Sequence, residues 1–297
     1  MHPVTEQHVI YAMDKSTNPS MRVDNGAVIT INTPDCFNNQ IKSENQPLNL
    51  LNWKEMHPAA GPIFINEAEP GDILAVTIEK IQIMGHATIL TAPGLGLLGG
   101  ELEEHVVRHL PIVNNKLIFS KKMAIPIKKR IGIIGTAPSG LPVPCSLSDT
   151  HGGNIGSQDV KEGTTLFLPV NVSGALLALG NIHIALADGE VSFSGASIPS
   201  QVTVRLQVVK NKQWPTPSLI CEDKIITIAS APTLDEASII ATRNMTQLLT
   251  ATTHTLRSEA IMLLSLAGDL RISQVNNKTK VARMELPLHY WSENPFL

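Results

Sequence analysis

Two segments of the chain alternate strictly between apolar and polar positions. Leu74, Val76 and Ile78 alternate with Ala75, Thr77 and Glu79, and Val202, Val204, Leu206 and Val208 alternate with Thr203, Arg205 and Gln207. A period of two marks strands with one buried face. Pro70-Gly71 just before the first run suits the two central positions of a type II turn, because glycine takes positive φ cheaply at the second. Twenty prolines and twenty glycines, set between short apolar runs, fit a sandwich or barrel with many turns. Composition shifts at Trp214-Pro215-Thr216-Pro217, read as a linker. Beyond it, Thr233 and Glu236 form a capping-box pattern, and Ala237, Ile240, Ala241, Met245, Leu248 and Leu249 supply a helical apolar stripe. A second helix is predicted over 258–266, ending at Gly268, followed by strands over 271–275 and 281–286 that Asn276-Asn277 separates. The predicted fold is therefore mainly β, with sandwich- or barrel-like sheets over residues 1–210. An α+β portion, 211–297, packs on it to make one compact unit.

Composition narrows the function classes. The net charge of -3 lacks the basic excess of a nucleic-acid footprint, and the one dense basic run, Lys128-Lys129-Arg130, reads as a solvated loop. Three widely spaced cysteines, Cys36, Cys145 and Cys221, suit a reducing compartment better than a disulfide framework. The opening MHPVTEQHVI has no basic segment followed by an apolar core, and no apolar run is long enough to span a bilayer. The expectation is a cytoplasmic protein that binds neither nucleic acid nor membrane.

Gly94-Leu95-Gly96-Leu97-Leu98-Gly99 fits a dinucleotide-binding pattern and precedes the helix-like ELEEHVVRHL. It lacks the acidic residue such a site needs about 20 positions on, so it reads as a glycine-rich loop. No G-x-S-x-G, H-E-x-x-H, Walker or paired C-x-x-C motif occurs. What remains is a set of histidines and carboxylates between Asp149 and Glu190. His151 is open to three readings: metal ligand, general base or loop histidine. His183 lies in the apolar run 178–186, where a buried, hydrogen-bonded histidine is the plain reading, and Asp188-Gly189-Glu190 alone reads as a tight turn with Glu190 outward. Their clustering is what points to a shared site.

Taken in order, the residues resemble a known family. The series runs Gly61-Pro62-Ile63, Ala68-Glu69-Pro70-Gly71-Asp72, Pro126, Ile131-Gly132-Ile133-Ile134-Gly135, Ala137-Pro138 and His151-Gly152-Gly153-Asn154. It continues through Leu168-Pro169-Val170, Gly174-Ala175-Leu176, Gly180, His183 and Asp188-Gly189-Glu190-Val191, closing on Gly268-Asp269-Leu270-Arg271 and Arg283. This succession is similar to the acetamidase/formamidase family in its short bacterial form. The resemblance implies a mostly β fold, hydrolysis of short linear amides to a carboxylic acid and ammonia, and a divalent metal ion, zinc or calcium. It also implies a homo-oligomer, most simply a dimer. A metal would polarise the carbonyl and acidify a bound water, and a carboxyl or imidazole would carry the proton to the leaving nitrogen. Carried over by position, His183 is implied as metal ligand and catalytic group, and Asp188 and Glu190 as catalytic carboxyls with Glu190 the proton carrier. Asp35, Asp149 and His151 are further candidate ligands; Asn154 and Gln40 are candidate substrate contacts.

The departures are specific. Gly156 and Asn181 stand where the family pattern has aspartates, and Ser197 where it has a glutamate; Ala187 replaces a glycine and Ser273 a cysteine. Losing three carboxylates is expected to weaken any divalent cation site, with Asp149 placed to compensate. Two readings stay open: a metal-assisted amidase, or a family member with impaired catalysis that binds a small amide-like ligand or a protein partner.

Overall fold

The computed structural model describes residues 8–291 and 294–296. Its frame is two antiparallel-rich sheets packed face to face. The first has eight strands among the described residues, in the order Asp269–Gln274, Lys280–Pro287, Lys224–Ala231, Ser218–Ile220, Thr165–Pro169, Ile73–Ile83, Ser200–Val209 and Val28–Thr33. The second is organised around Leu177–Ala185, which pairs with Arg130–Gly135 on one side and with Ala59–Ile65 and Ala196–Ser197 on the other. Leu74, Val76, Ile78, Val202, Val204 and Leu206 from the first sheet meet Ile63, Ile131, Leu177 and Leu179 from the second in one fully buried core. The alternation in the sequence thus reports the real inner face. The turn before it is as expected: Gly71 has φ +97°, and the Asp72 amide donates to the Glu69 carbonyl at 3.0 Å.

The other face of the eight-stranded sheet carries the helices. Helix α1 (Leu234–Thr253) begins at Thr233, whose hydroxyl accepts from the Glu236 amide at 3.2 Å. Helix α2 (Arg257–Ala267) ends at Gly268, where an added β-carbon would stand 2.8 Å from the Leu264 carbonyl. Glycine is needed there for close approach, since its φ of −90° is ordinary. Met245, Leu248, Leu249 and Leu264 pack on Ala75, Phe167 and Ile225. The 211–297 portion adds strands to the same sheet that residues before 210 build, so the two portions share one sheet. The linker is pinned, with Trp214 edge-on to Phe167 at 5.6 Å.

Two local readings are corrected. ELEEHVVRHL forms a 3₁₀ turn at Gly99–Glu101 and then a strand, Val106–Leu110, paired with Ala87–Thr91. Val107 and Leu110 are buried while Val106 is exposed. The basic run is a solvated loop only in part: Lys128 is exposed outside any strand, whereas Arg130 opens a central strand and is buried, donating to the Lys128 carbonyl and to Gln158.

Candidate active site

The strand Leu177–Ala185 carries Asn181 and His183 into the interior, and both are essentially unexposed. The His183 ring lies between two glycines. A β-carbon on Gly195 would stand 2.8 Å from its Nδ1, and one on Gly132 would stand 3.0 Å from its Nε2. The same empty position at Gly132 is 2.8 Å from the Asn181 carbonyl oxygen and 3.1 Å from Asn181 Nδ2. The absent side chain therefore leaves a small cradle faced by three polar atoms. Neither nitrogen of His183 nor Asn181 Nδ2 has a hydrogen-bond partner in the protein. Buried donors and acceptors are costly when unmet, so a cluster of them marks a place that something else fills.

Glu190 completes the centre. It sits at φ +43°, Asn181 at φ +54° and His57 at φ +55°. This left-handed region is sparsely used by residues with a side chain, and such strain concentrates at functional sites. The positive φ turns Glu190 inward, against the outward orientation expected of a simple turn; its carboxyl is buried. Oε1 lies 3.9 Å from His183 Nε2 and accepts from the Gly195 amide at 3.3 Å. Oε2 accepts a short hydrogen bond from Gln274 Nε2. Burial pushes the Glu190 carboxyl up to about 7, although the hydrogen bonds from Gln274 and Gly195 pull the other way. Burial, with His57 and Arg130 nearby, holds His183 at about 3, so its ring is neutral. A buried carboxyl that titrates near neutrality beside a neutral imidazole is suited to take up and return a proton.

The other predicted residues divide. Asp188 lies two residues from Glu190, but both its oxygens are held by Arg283, each at 2.8 Å. That bidentate pair anchors the turn and engages both Asp188 oxygens, an arrangement that suits positioning better than proton transfer. Asp35 is buried near the centre through Ser197: the Ser197 hydroxyl accepts from the Cys36 amide at 2.9 Å and donates to Asn181 Oδ1 at 3.3 Å. Asp35 Oδ1 is already engaged by the amides of Phe37 and Asn39. Asp149 is exposed and accepts from the Thr150 amide. His151 is buried with both nitrogens unpartnered, its Nε2 close to Gly153. Asn154 donates to the Ser146 carbonyl at 3.1 Å and leaves its own oxygen unpartnered. Gln40 exchanges hydrogen bonds with the Asn52 backbone and serves to pin a surface loop. Sequence reasoning missed Gln274 and His57. Gln274 is 84 residues from the carboxyl it contacts, and no local pattern connects them.

The donor set does not fit a divalent cation. Among the described residues no three His, Cys, Asp or Glu side chains gather to hold one. Zinc asks for three or four protein donors and calcium for several charged oxygens. Here the cradle presents a carbonyl, an imidazole and an amide, with the Glu190 carboxyl 3.9 Å from the imidazole. Gly156 belongs to the same shell, its amide donating to the Gly132 carbonyl and its missing side chain facing Gln274 at 3.4 Å. It stands at φ +54°, a conformation aspartate tolerates better than most residues. Gly156→Asp with Asn181→Asp should therefore fold and create a metal site. Calorimetric zinc titration is expected to give stoichiometric binding to the double variant and at least tenfold weaker binding to the parent; equal affinities would contradict this.

The site also governs acid stability. Burial holds His57 and His151 at about 4 and His183 at about 3, below the ordinary 6.5. Unfolding lets each take up a proton, so the stability they contribute is present above pH 6.5 and is lost as pH falls toward 4. Glu190, raised from 4.5 to about 7, acts in reverse and loses stability as pH rises through 7. Three histidines outweigh one glutamate, so Tm is expected to fall between pH 6.5 and 4.5. A Tm that rises over that interval in a calorimetric scan would refute this balance.

Comparison with known proteins places the chain in a family. The sequence profile of the Acetamidase/Formamidase family matches residues 6–142 and 143–274. The chain superimposes on the crystal structure of an acetamidase from Bacillus halodurans with TM-score 0.95 and 40% identity, covering 97% of this chain and 98% of that one. A predicted acetamidase/formamidase from Thermoanaerobacter tengcongensis gives TM-score 0.94 and 36% identity, covering 97% and 96%. A putative formamidase of Schizosaccharomyces pombe is 27% identical over 64% of this chain. The chain spans 61% of the length of that relative.

Proposed function

The chain belongs to the acetamidase/formamidase family, and from that premise we propose that it hydrolyses the carbon–nitrogen bond of linear amides, releasing ammonia, at a centre built on Glu190 and His183. The observation that carries the reading is the buried Glu190 carboxyl, poised near neutrality 3.9 Å from the unpartnered imidazole. Ionised Glu190 takes a proton from a water molecule as its oxygen attacks the amide carbon. The carbonyl oxygen gains negative charge, which the unpartnered Asn181 Nδ2 and the His183 imidazole are placed to receive as hydrogen-bond donors. Glu190 then passes its proton to the departing nitrogen, leaving a carboxylic acid and ammonia and restoring the carboxylate. Gln274 and the Gly195 amide hold the Glu190 oxygens in place through both transfers. Because the donor set does not fit a divalent cation, no step is assigned to one.

The replaced carboxylates at Gly156, Asn181 and Ser197 favour a second reading, a protein that binds an amide without cleaving it. An ammonia-release assay on purified protein separates the two: ammonia from formamide, acetamide or a longer amide supports hydrolysis, and none from any amide refutes it. The family premise also supports a homodimer. Leu266, Met262 and Leu270 are exposed on α2 and on the edge strand Asp269–Gln274, and apolar surface of this kind suits a contact between copies.

A further inference from the structure

Glu190 opens onto a cavity far larger than a short amide requires. The cavity encloses about 510 Å³, within the ~300–1,000 Å³ typical of sites for drug-sized ligands. Acetamide, with four non-hydrogen atoms, would leave most of that space to water, each molecule taking roughly 30 Å³. The wall beyond Glu190 is hydrocarbon: Ile89, Leu110, Leu117, Phe119, Ile125 and Ala185. Phe119 and Ile125 come from a small separate sheet, Ile112–Val113, Lys116–Ser120 and Met123–Pro126, which stands over the site as its outer wall. The polar groups collect at one end, where Ser194 lines the cavity with Glu190. The charges on the wall are largely committed. Asp188 is held by Arg283, and Arg130 donates to the Lys128 carbonyl and to Gln158. Lys128, exposed beside the cavity, is the wall cation that an anionic tail would meet, while the apolar stretch itself offers no charge.

We propose that the substrate is a primary amide with an extended or aromatic apolar acyl group, its carboxamide at Glu190 and Ser194 and its hydrocarbon along Leu117, Phe119 and Ile125. This assignment rests on the amide-hydrolase reading and adds the acyl group to it. Water held against these side chains is released when an acyl chain enters, so selectivity grows with chain length, about fourfold per methylene buried.

The test is kcat/KM for ammonia release from acetamide, propanamide, butanamide, hexanamide and phenylacetamide, with binding of the same amides measured by calorimetry on Glu190→Gln protein. The expected result is a rise of about two orders of magnitude from acetamide to hexanamide, with the same order in affinity. Ile125→Trp, at a half-open position that folding tolerates, should compress the hexanamide-to-acetamide ratio at least tenfold. A flat or falling series with measurable acetamide turnover would overturn the acyl assignment and leave hydrolysis standing. Tight hexanamide binding without ammonia from any amide would overturn hydrolysis and support the cavity's role. An acidic monoamide such as adipamate outrunning hexanamide would overturn the apolar tail, and binding of no amide at all would overturn the assignment outright.

Discussion

Glu190→Gln is expected to lower kcat/KM for linear amides by ~10²–10⁴-fold, the usual worth of a positioned acid–base group, and to leave the fold unchanged. Gln is isosteric, and its carbonyl oxygen can still accept from the Gly195 amide or from Gln274. It cannot take up a proton. The same variant should lose a pH signature. Ionised Glu190 is the active form, and the folded protein holds its carboxyl at about 7, so wild-type kcat/KM should climb through that pH while the residual activity of the variant stays flat there. Circular dichroism and Tm serve as controls for folding. A loss under fivefold, or a surviving ascending limb near pH 7, would place the proton carrier elsewhere.

Arg283→Met is expected to have the largest effect on stability. Arg283 is 2% exposed and is a hub for carboxylates. Its Nη1 and Nη2 hold Asp188 at 2.8 Å, and its Nε meets Glu285 at 2.6 Å and Asp159 at 3.2 Å. Met keeps the apolar stem and removes the charge. Lys224, at 2.7 Å from Glu285 and 3.1 Å from Asp159, and Arg271, at 3.5 Å from Glu285, remain as close cations for those two. Asp188 loses its bidentate partner, and breaking a buried ion pair from one side costs about 3–5 kcal/mol. Activity should fall with it, since Asp188 fixes the turn that aims Glu190. Urea unfolding monitored by circular dichroism measures the first effect; a change below about 1 kcal/mol would show the network to be energetically idle.

Where the sequence was readable, it was readable for local reasons. Val202, Val204 and Leu206 alternate because one face of their strand meets the core and the other does not. Thr233 and Gly268 mark helix ends because a cap and a close approach are short-range demands. ELEEHVVRHL misleads because its acidic start favours a helix, while the pairing of Val106–Leu110 with Ala87–Thr91 is a tertiary matter that overrides it. Arg130 looks solvated among its basic neighbours, and only the register of its strand against His183 shows it to be interior. The candidate site was legible as a list of residues and not as an arrangement. His183 and Glu190 are seven positions apart, yet their meeting depends on the left-handed backbone at Glu190 and on the gaps at Gly132 and Gly195. Asp188, equally plausible on paper, turns the other way to Arg283, and Gln274 arrives from a distant strand. In the proposed mechanism those long-range contacts set the proton-carrying carboxyl apart from the anchoring one.

The proposed centre cleaves amides with the chain's own side chains, Glu190 carrying the proton beside His183. Ammonia release by protein dialysed against a chelator and shown metal-free by elemental analysis tests it most directly, with hexanamide and acetamide as substrates across pH 5–9. Turnover is expected to survive the chelator and to rise through pH about 7. Turnover that disappears with the chelator and returns with zinc would contradict it, as would ammonia from neither amide at any pH.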